Sequence, residues 1–292
     1  MNVLTFDIEE WYIEREYHGD RIEQYRKFDS LLDRLLDELD ELGIKATFFC
    51  LGEMARYFPA VVSRINDRGH EIGCHSNRHD WLTKLSRAEL AADTEAAICA
   101  LEDLTGRKVV SYRAPAFSVC KDNAWALEVL ASCGIRNDAS IFPAARDFGG
   151  FPDFAYNEPV TINTGGFTIR EFPISPADVI GKKIAFSGGG YFRLFPLGII
   201  NRFMRRMDYV MLYFHIGDLS DETKSFMSRT EYEEYFKENG SFKNRAVRYF
   251  KANTGTRGAM DKLGRLLHSH AYCNLAEANS IIDWGSRPVI EL

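Results

Sequence analysis

The chain has no apolar run approaching the roughly 20 residues that cross a bilayer as a helix, so no transmembrane segment is expected. Its first residues offer no basic stretch followed by an apolar one. They run straight from "NVLTF" into acid, which points to a cytoplasmic protein rather than an exported one. An excess of basic charge is missing too: 36 Lys and Arg stand against 42 Asp and Glu, and the formal net charge is −6. The nearest thing to a basic patch is the short "RFMRR", so nucleic acid is not expected as a partner. There is no CxxC pair among Cys50, Cys74, Cys99, Cys120, Cys133 and Cys273. Most sit in apolar stretches, which suits buried, reduced thiols rather than a disulfide framework. There is no internal repeat. What the chain does have is 46% hydrophobic and 13% aromatic residues, enough for a sizeable core. Its 292 residues suit one α/β barrel, or a barrel with an appendage.

Strand and helix signals alternate over the first two thirds. "NVLTFDIE", "KATFFCLG", "HEIGCHS", "VVSYRAPAFS" and "IRNDASIFP" read as strands. Between them, "DSLLDRLLDELDELG" repeats Leu at helical spacing and stops at Gly43. "EMARYFPAVVSRINDRG" restarts at Pro59, and "SRAELAADTEAAICALEDLTG" opens with a serine cap and a glutamate three residues on. "AWALEVLASCG" closes the series as a helix. This rhythm predicts a parallel sheet covered by helices, with ligands bound at the C-terminal strand ends. From about residue 144 the rhythm weakens. "AARDFGGFPDFAYNEP" reads as a long loop, and "TIREFPIS" and "KKIAFSGGGYFRLFP" as strand-like pieces around a glycine cluster. "PLGIINRFMRRM" reads as helix and "DYVMLYFHIGDL" as an apolar last strand. The predicted division is a barrel over 1–220 and a helical extension over 221–292, packed on it.

The polar residues at these strand ends are the candidates for chemistry. His75 and His79 follow the third strand four residues apart, a spacing at which one turn of helix puts both imidazoles on one face. Alone, such a pair is a weak signal. Asp7 and Glu9 end the first strand, and as i and i+2 residues they point to one side, while Glu10 points with Ile8 and reads as a solvated or supporting carboxylate. Two histidines and one carboxylate form a facial set that leaves metal positions open. A second carboxylate beside them suits a general base. Arg113, at a strand end with Pro115, could hold a carboxylate ionised. His215 ends a very apolar strand with Asp218 close by, a placement that suits a general acid.

Taken in order, "TFDIEE", "HSNRH", "RAPAF", Asp138 in "NDASIFP" and "LYFH" resemble the five motifs of the polysaccharide deacetylase family, the NodB homology domain of carbohydrate esterases. "RAPAFS", "ASIFP", "GGGYFRL" (188–194) and "HAYCNL" (270–275) further resemble a subgroup linked to bacterial exopolysaccharide and exosortase gene clusters. The resemblance implies a distorted (β/α)7-type barrel, a bound divalent metal (zinc first, with cobalt, nickel or manganese as alternatives) and hydrolysis of an N-acetyl group from a saccharide. It makes Asp7 the base, Glu9, His75 and His79 the ligands, and Arg113 the residue that tunes the base. His215 becomes the acid, with Asp138 or Asp218 as its partner, and the Phe117 backbone N–H helps to hold the oxyanion. Glu9 stands one place beyond the family's second aspartate, and Ile216 and Gly217 replace the subgroup's Pro-Trp.

Trp11, Tyr191 and Phe192, with the aromatic loop 148–156, are the expected saccharide contacts, since aromatic faces suit sugar rings. Packing at the barrel end explains them equally well. Two other functions fit the same residues less closely: a cyclic-amide hydrolase of this fold, which needs a small closed pocket, and a saccharide-binding relative that has lost activity.

Overall fold

The computed structural model describes residues 1–144, 149–179, 181–236 and 238–292. Its strands are β1 (Asn2–Ile8), β2 (Thr47–Cys50), β3 (Glu71–Cys74), β4 (Ser111–Tyr112), β5 (Asn137–Asp138), β6 (Val160–Thr164), β7 (Phe167–Glu171), β8 (Ala177–Val179), β9 (Lys182–Ile184), β10 (Val210–His215) and β11 (Val289–Glu291). The main sheet runs β10-β1-β2-β3-β4-β5-β7-β6-β11. Its first seven strands, β10 to β7 in that order, are all parallel, as the expected distorted (β/α)7-type barrel requires. β6 turns back antiparallel on β7, and β8 and β9 form a separate hairpin.

No ladder joins β7 to β10 among the described residues. The chain that follows β7 bridges them instead. The Tyr209 hydroxyl donates to Pro173 O at 3.0 Å, Met211 N–H to Ser175 Oγ at 3.1 Å and Tyr213 N–H to Ser187 O at 3.2 Å. This is where the barrel departs from regular closure.

The helices are α1 (Glu10–His18), α2 (Ile22–Glu41), α3 (Gly52–Tyr57), α4 (Pro59–Asp67), α5 (Arg87–Thr105), α6 (Ala126–Ser132), α7 (Gly189–Leu194), α8 (Leu197–Met204), α9 (Arg229–Phe236), α10 (Phe242–Asn253), α11 (Ala259–Leu267) and α12 (Leu275–Ile281). In α2, Tyr25, Phe28, Leu32, Leu35, Leu36 and Leu39 form the buried stripe that the leucine spacing predicts. The helix begins seven residues before Asp29. α5 opens with the expected capping box, Ser86 and Glu89 each satisfying the other's backbone N–H. No helix among the described residues is long and apolar enough to cross a membrane. All six cysteines are free, but only Cys50, Cys74 and Cys273 are buried. Cys99 is exposed on α5, against the expectation for these thiols.

The chain's last residues seal the N-terminal ends of the strands, opposite the candidate site. Leu4 N–H donates to Cys273 O at 3.0 Å, Cys273 N–H to Asn2 O at 3.1 Å and Leu275 N–H to Thr47 Oγ1 at 2.7 Å. β11 then joins the sheet edge in parallel with β6. "HAYCNL" therefore contributes to packing here.

His70 at the start of β3 gives a pH-dependent test of this core. It is fully buried against Phe48, and its Nδ1 accepts the Ala46 N–H at 3.3 Å, which requires a neutral ring. Burial pushes its pKa down to about 4. The unfolded chain binds this proton near pH 6.5. Stability is therefore complete above 6.5 and is lost as the pH falls towards 4. The His70 contribution to the unfolding free energy is expected to be about 2 kcal/mol lower at pH 5 than at pH 8. Urea midpoints for wild type and His70→Phe should differ in slope over that window, and parallel slopes would refute the assignment.

Candidate metal centre

Strand register brings the candidate residues to one rim. Asp7 lies opposite His215 on β10 and Phe49 on β2. His75 follows the end of β3 and Arg113 the end of β4. The ladder carries on through both, with His75 N–H donating to Cys50 O and Arg113 N–H to Cys74 O, each at 2.9 Å. Four polar side chains, from the C-terminal ends of four strands, thus gather on one rim of the sheet.

Glu9, His75 and His79 converge. Their ligand atoms lie within 4.8 Å of one another, with His79 Nε2 2.8 Å and His75 Nε2 3.2 Å from the same Glu9 oxygen, Oε2. His75 Nδ1 lies 2.8 Å from Arg113 O, so Nδ1 carries the proton and the lone pair of Nε2 faces a carboxylate. Two acceptors set face to face need a cation between them, so this N, N, O set fits a divalent metal such as zinc. Burial works to raise the Glu9 carboxyl, but positive charge on His79 and His215 outweighs it. Glu9 is thereby held well below the usual carboxylate range, and a metal in place of the imidazole protons would act in the same direction.

The segment 75–79 is not the helical turn that the i, i+4 spacing suggests. Ser76 and His79 both have positive φ, 69° and 65°. Ser76 Oγ accepts the His79 N–H at 2.9 Å, and Asp93 Oδ2 accepts the Asn77 N–H at 2.8 Å. A bent loop rather than a helix face aims the two rings. Asp93 lies on α5, 14 residues beyond His79, and no spacing rule points to it.

Asp7 is almost fully buried, and Arg113 completely so. Arg113 Nη1 donates to Asp7 Oδ1 and to Thr5 Oγ1, both at 2.8 Å, Nε donates to Ala139 O at 3.3 Å, and the guanidinium lies 4.4 Å over the Phe49 ring. Glu10, expected as a supporting carboxylate, accepts the Gly217 N–H through Oε1 and so ties α1 to the turn after His215. Burial pushes the Glu10 carboxyl up to about 7, against the pull of His215.

His215 Nδ1 lies 3.2 Å from Asp218 Oδ2, which also accepts the His215 N–H at 3.1 Å. Its Nε2 turns to the metal side, 3.6 Å from Glu9 Oε1 and 3.9 Å from Asp7 Oδ2. Burial opposes the charged ring, but Glu9, Asp218 and Asp7 together hold its pKa well above the ordinary value. Burial likewise works against ionised Asp218, yet His215 and Arg193 hold its carboxyl down at about 2. Arg193 Nη1 is 3.3 Å from Asp218 Oδ1. This arginine is the "R" of "GGGYFRL", and the stretch is a helix rather than a strand. Its glycines serve close approach: a Cβ on Gly189 would lie 1.9 Å from Asp218 Oδ2. An arginine in an otherwise apolar hexapeptide was the available signal for a buried partner.

Two of the proposed catalytic positions are corrected. Asp138, offered as a partner of His215, instead accepts from Ser140 through both oxygens (N–H at 3.0 Å, Oγ at 2.7 Å) and pairs with Glu171 across the β5–β7 register. Its place is behind Arg113. Burial raises both carboxyls, and the neighbouring Asp138 adds to the rise at Glu171. The Phe117 N–H, offered as an oxyanion donor, donates to Ala114 O at 3.0 Å within a 3₁₀ turn. Ala116 and Phe117 reach that turn at φ 54° and 53°.

Residues 3–137 match the model of the family described as polysaccharide deacetylase, and residues 139–279 match that of a domain of unknown function, DUF3473. Residues 3–137, a little under half of the chain, are thus similar to polysaccharide deacetylases. A peptidoglycan-N-acetylglucosamine deacetylase of Bacillus cereus is 46% identical over 56 residues, 19% of this chain and 20% of that protein. A chitin deacetylase of Pestalotiopsis is 35% identical over 103 residues, 34% of each chain. The chain thus spans well under two thirds of the curated relatives it matches. A structure assigned as a polysaccharide deacetylase from Mycobacterium smegmatis superposes with TM-score 0.64 at 17% identity, over 98% of this chain and 91% of that one, and shows the shared fold.

The deacetylase-family match holds Asp7, Glu9, His75, His79 and Arg113, while Asp138, His215, Asp218 and Arg193 follow it in sequence. The expected saccharide contacts divide. Trp11 is 1% exposed and packs edge-on against Phe28, and Phe192 is 1% exposed and packs against Phe214. Neither can meet a sugar. Tyr191 is 45% exposed and stays accessible, with its ring stacked on Phe195. Phe151 and Phe154 are buried against each other, and Phe148 lies outside the described residues.

Proposed function

We propose that the chain is a metal-dependent deacetylase that hydrolyses an N-acetyl group on a sugar of a bacterial surface polysaccharide or its precursor. The observation that carries this reading is the convergence of Glu9, His75 and His79 between a buried Asp7–Arg113 pair and a His215–Asp218 pair. Such a set offers a ligand cluster with a carboxylate suited to a base and an imidazole suited to an acid beside it. A divalent cation held by the three ligands would polarise the acetyl carbonyl and make water a nucleophile near neutral pH.

Asp7 takes the water's proton at Oδ2, since Arg113 occupies Oδ1. His215 delivers a proton from Nε2 to the leaving nitrogen, while Asp218 holds Nδ1–H and with it the direction of the ring. The products are acetate and the free amine. Tyr191 is the accessible aromatic for a sugar ring. The family match and the deacetylase names of the relatives support the acyl group, and zinc is the first metal to test, ahead of cobalt, nickel and manganese.

The test is metal content and acetate release on N-acetylated saccharides, for wild type and His75→Ala. Removing one of three ligands is expected to weaken metal retention by more than roughly 100-fold and to abolish turnover. A metal-free chain with full activity would refute the reading. Ring opening of cyclic imides without acetate release would move the substrate to the cyclic amides.

A further inference from the structure

α10 differs in composition from the rest of the chain. From Asn239 to Met260 there is no Asp or Glu, while Lys243, Arg245, Arg248, Lys251 and Arg257 supply five cations in a chain of net charge −6. No residue of α10 is buried. Phe242 and Phe250 are 71% and 66% exposed, Val247 is 44% exposed, and the neighbouring Phe226 is 40% exposed, with its ring 5.7 Å from that of Phe242. At 100° per residue, Phe242, Val247 and Phe250 share one side of the helix, with Lys243 among them and Lys251 at the edge. Arg245 points inward and donates to Gly240 O and Met227 O, so the outward side is left to aromatics and lysines. The acids of the preceding α9 are largely occupied: Glu231 accepts from Ser228, Glu233 pairs with Arg229, and just past the helix Glu238 accepts from Tyr232.

An acid-free, basic helix that shows two phenylalanines to water has the chemistry of an interfacial helix. We propose that α10 docks the protein on an anionic bilayer surface, with Phe242 and Phe250 entering the headgroup–acyl boundary and Lys243 meeting acidic headgroups. A second copy fits worse, because a symmetric contact would bring like charges face to face. The inference goes beyond the deacetylase reading and stands without it. Joined to that reading, it favours a membrane-borne saccharide, because α10 is linked to the site. Lys251 O accepts Arg193 Nη2 at 3.0 Å, and Arg193 in turn holds Asp218.

The test is co-sedimentation of the full chain with phosphatidylcholine vesicles and with vesicles carrying about one-third phosphatidylglycerol. Binding is expected to the anionic vesicles only, weakening as salt rises. Phe242→Ser/Phe250→Ser and Lys243→Glu should each lose roughly tenfold in partitioning, with Tm and metal content unchanged. No binding to anionic vesicles, or equal binding by the variants, overturns the proposal. So does a wild-type dimer in light scattering that the double phenylalanine variant abolishes, since a second copy would then cover the patch. Failure of acetate release would leave this result untouched.

Discussion

Arg113→Ala is expected to lower the unfolding free energy by about 3–5 kcal/mol, the largest loss of stability from any single change in the site. Three effects add. The guanidinium is wholly buried, so its removal leaves a cavity beside Phe49. Thr5 Oγ1 and Ala139 O each lose a donor. Above all, Asp7 is left in the barrel without its 2.8 Å partner, and breaking one side of a buried ion pair costs far more than the pair itself contributes. Lysine keeps the charge but cannot reproduce the planar fork that meets Asp7, Thr5 and Ala139 together, so Arg113→Lys should recover only part of the loss. Chemical denaturation of wild type and both variants gives the answer. An alanine variant within about 1 kcal/mol of wild type would show that the arginine does not hold this core together.

The place of the candidate site was legible in the sequence because charge is rare at the ends of apolar strands. Asp7 and His215 stand at or near the ends of largely apolar runs, and that contrast is visible without coordinates. The register that sets them side by side follows from parallel pairing of neighbouring strands. What stayed hidden depends on contacts rather than pattern. β4 and β5 are two residues long, too short to show a period. α1 begins where β1 ends, so one run of acids serves two elements. Two glycines behind a third at the N-cap disguise α7, a helix held by tertiary contacts against its own poor propensity. The partnership of Arg193 with Asp218 spans 25 residues, and Glu171 meets Asp138 only through sheet order. Trp11 and Phe192 show the limit most plainly: an aromatic near a site reads the same whether it faces sugar or core, and here both face the core.

Asp7→Asn is expected to cut turnover by about 10³–10⁴-fold while leaving metal content near that of wild type. The base is not among the three converging ligands, so the cluster of Glu9, His75 and His79 survives the change. The amide oxygen can still accept from Arg113 Nη1, so the buried guanidinium keeps a hydrogen bond where Asp7 Oδ1 now lies. The arginine loses its counter-charge, but its hydrogen bonds to Thr5 Oγ1 and Ala139 O stay. Asp7→Asn should therefore destabilise the protein less than Arg113→Ala, although both break the same pair. What it removes is the site's proton acceptor, and neither Glu9, engaged by two imidazoles, nor His215, held in its charged form by its carboxylate neighbours, can take its place. Acetate release, metal analysis and denaturation on one preparation separate the three quantities. A variant that keeps both metal and most of its turnover would move the base to another group, and one that loses its metal would place Asp7 among the ligands.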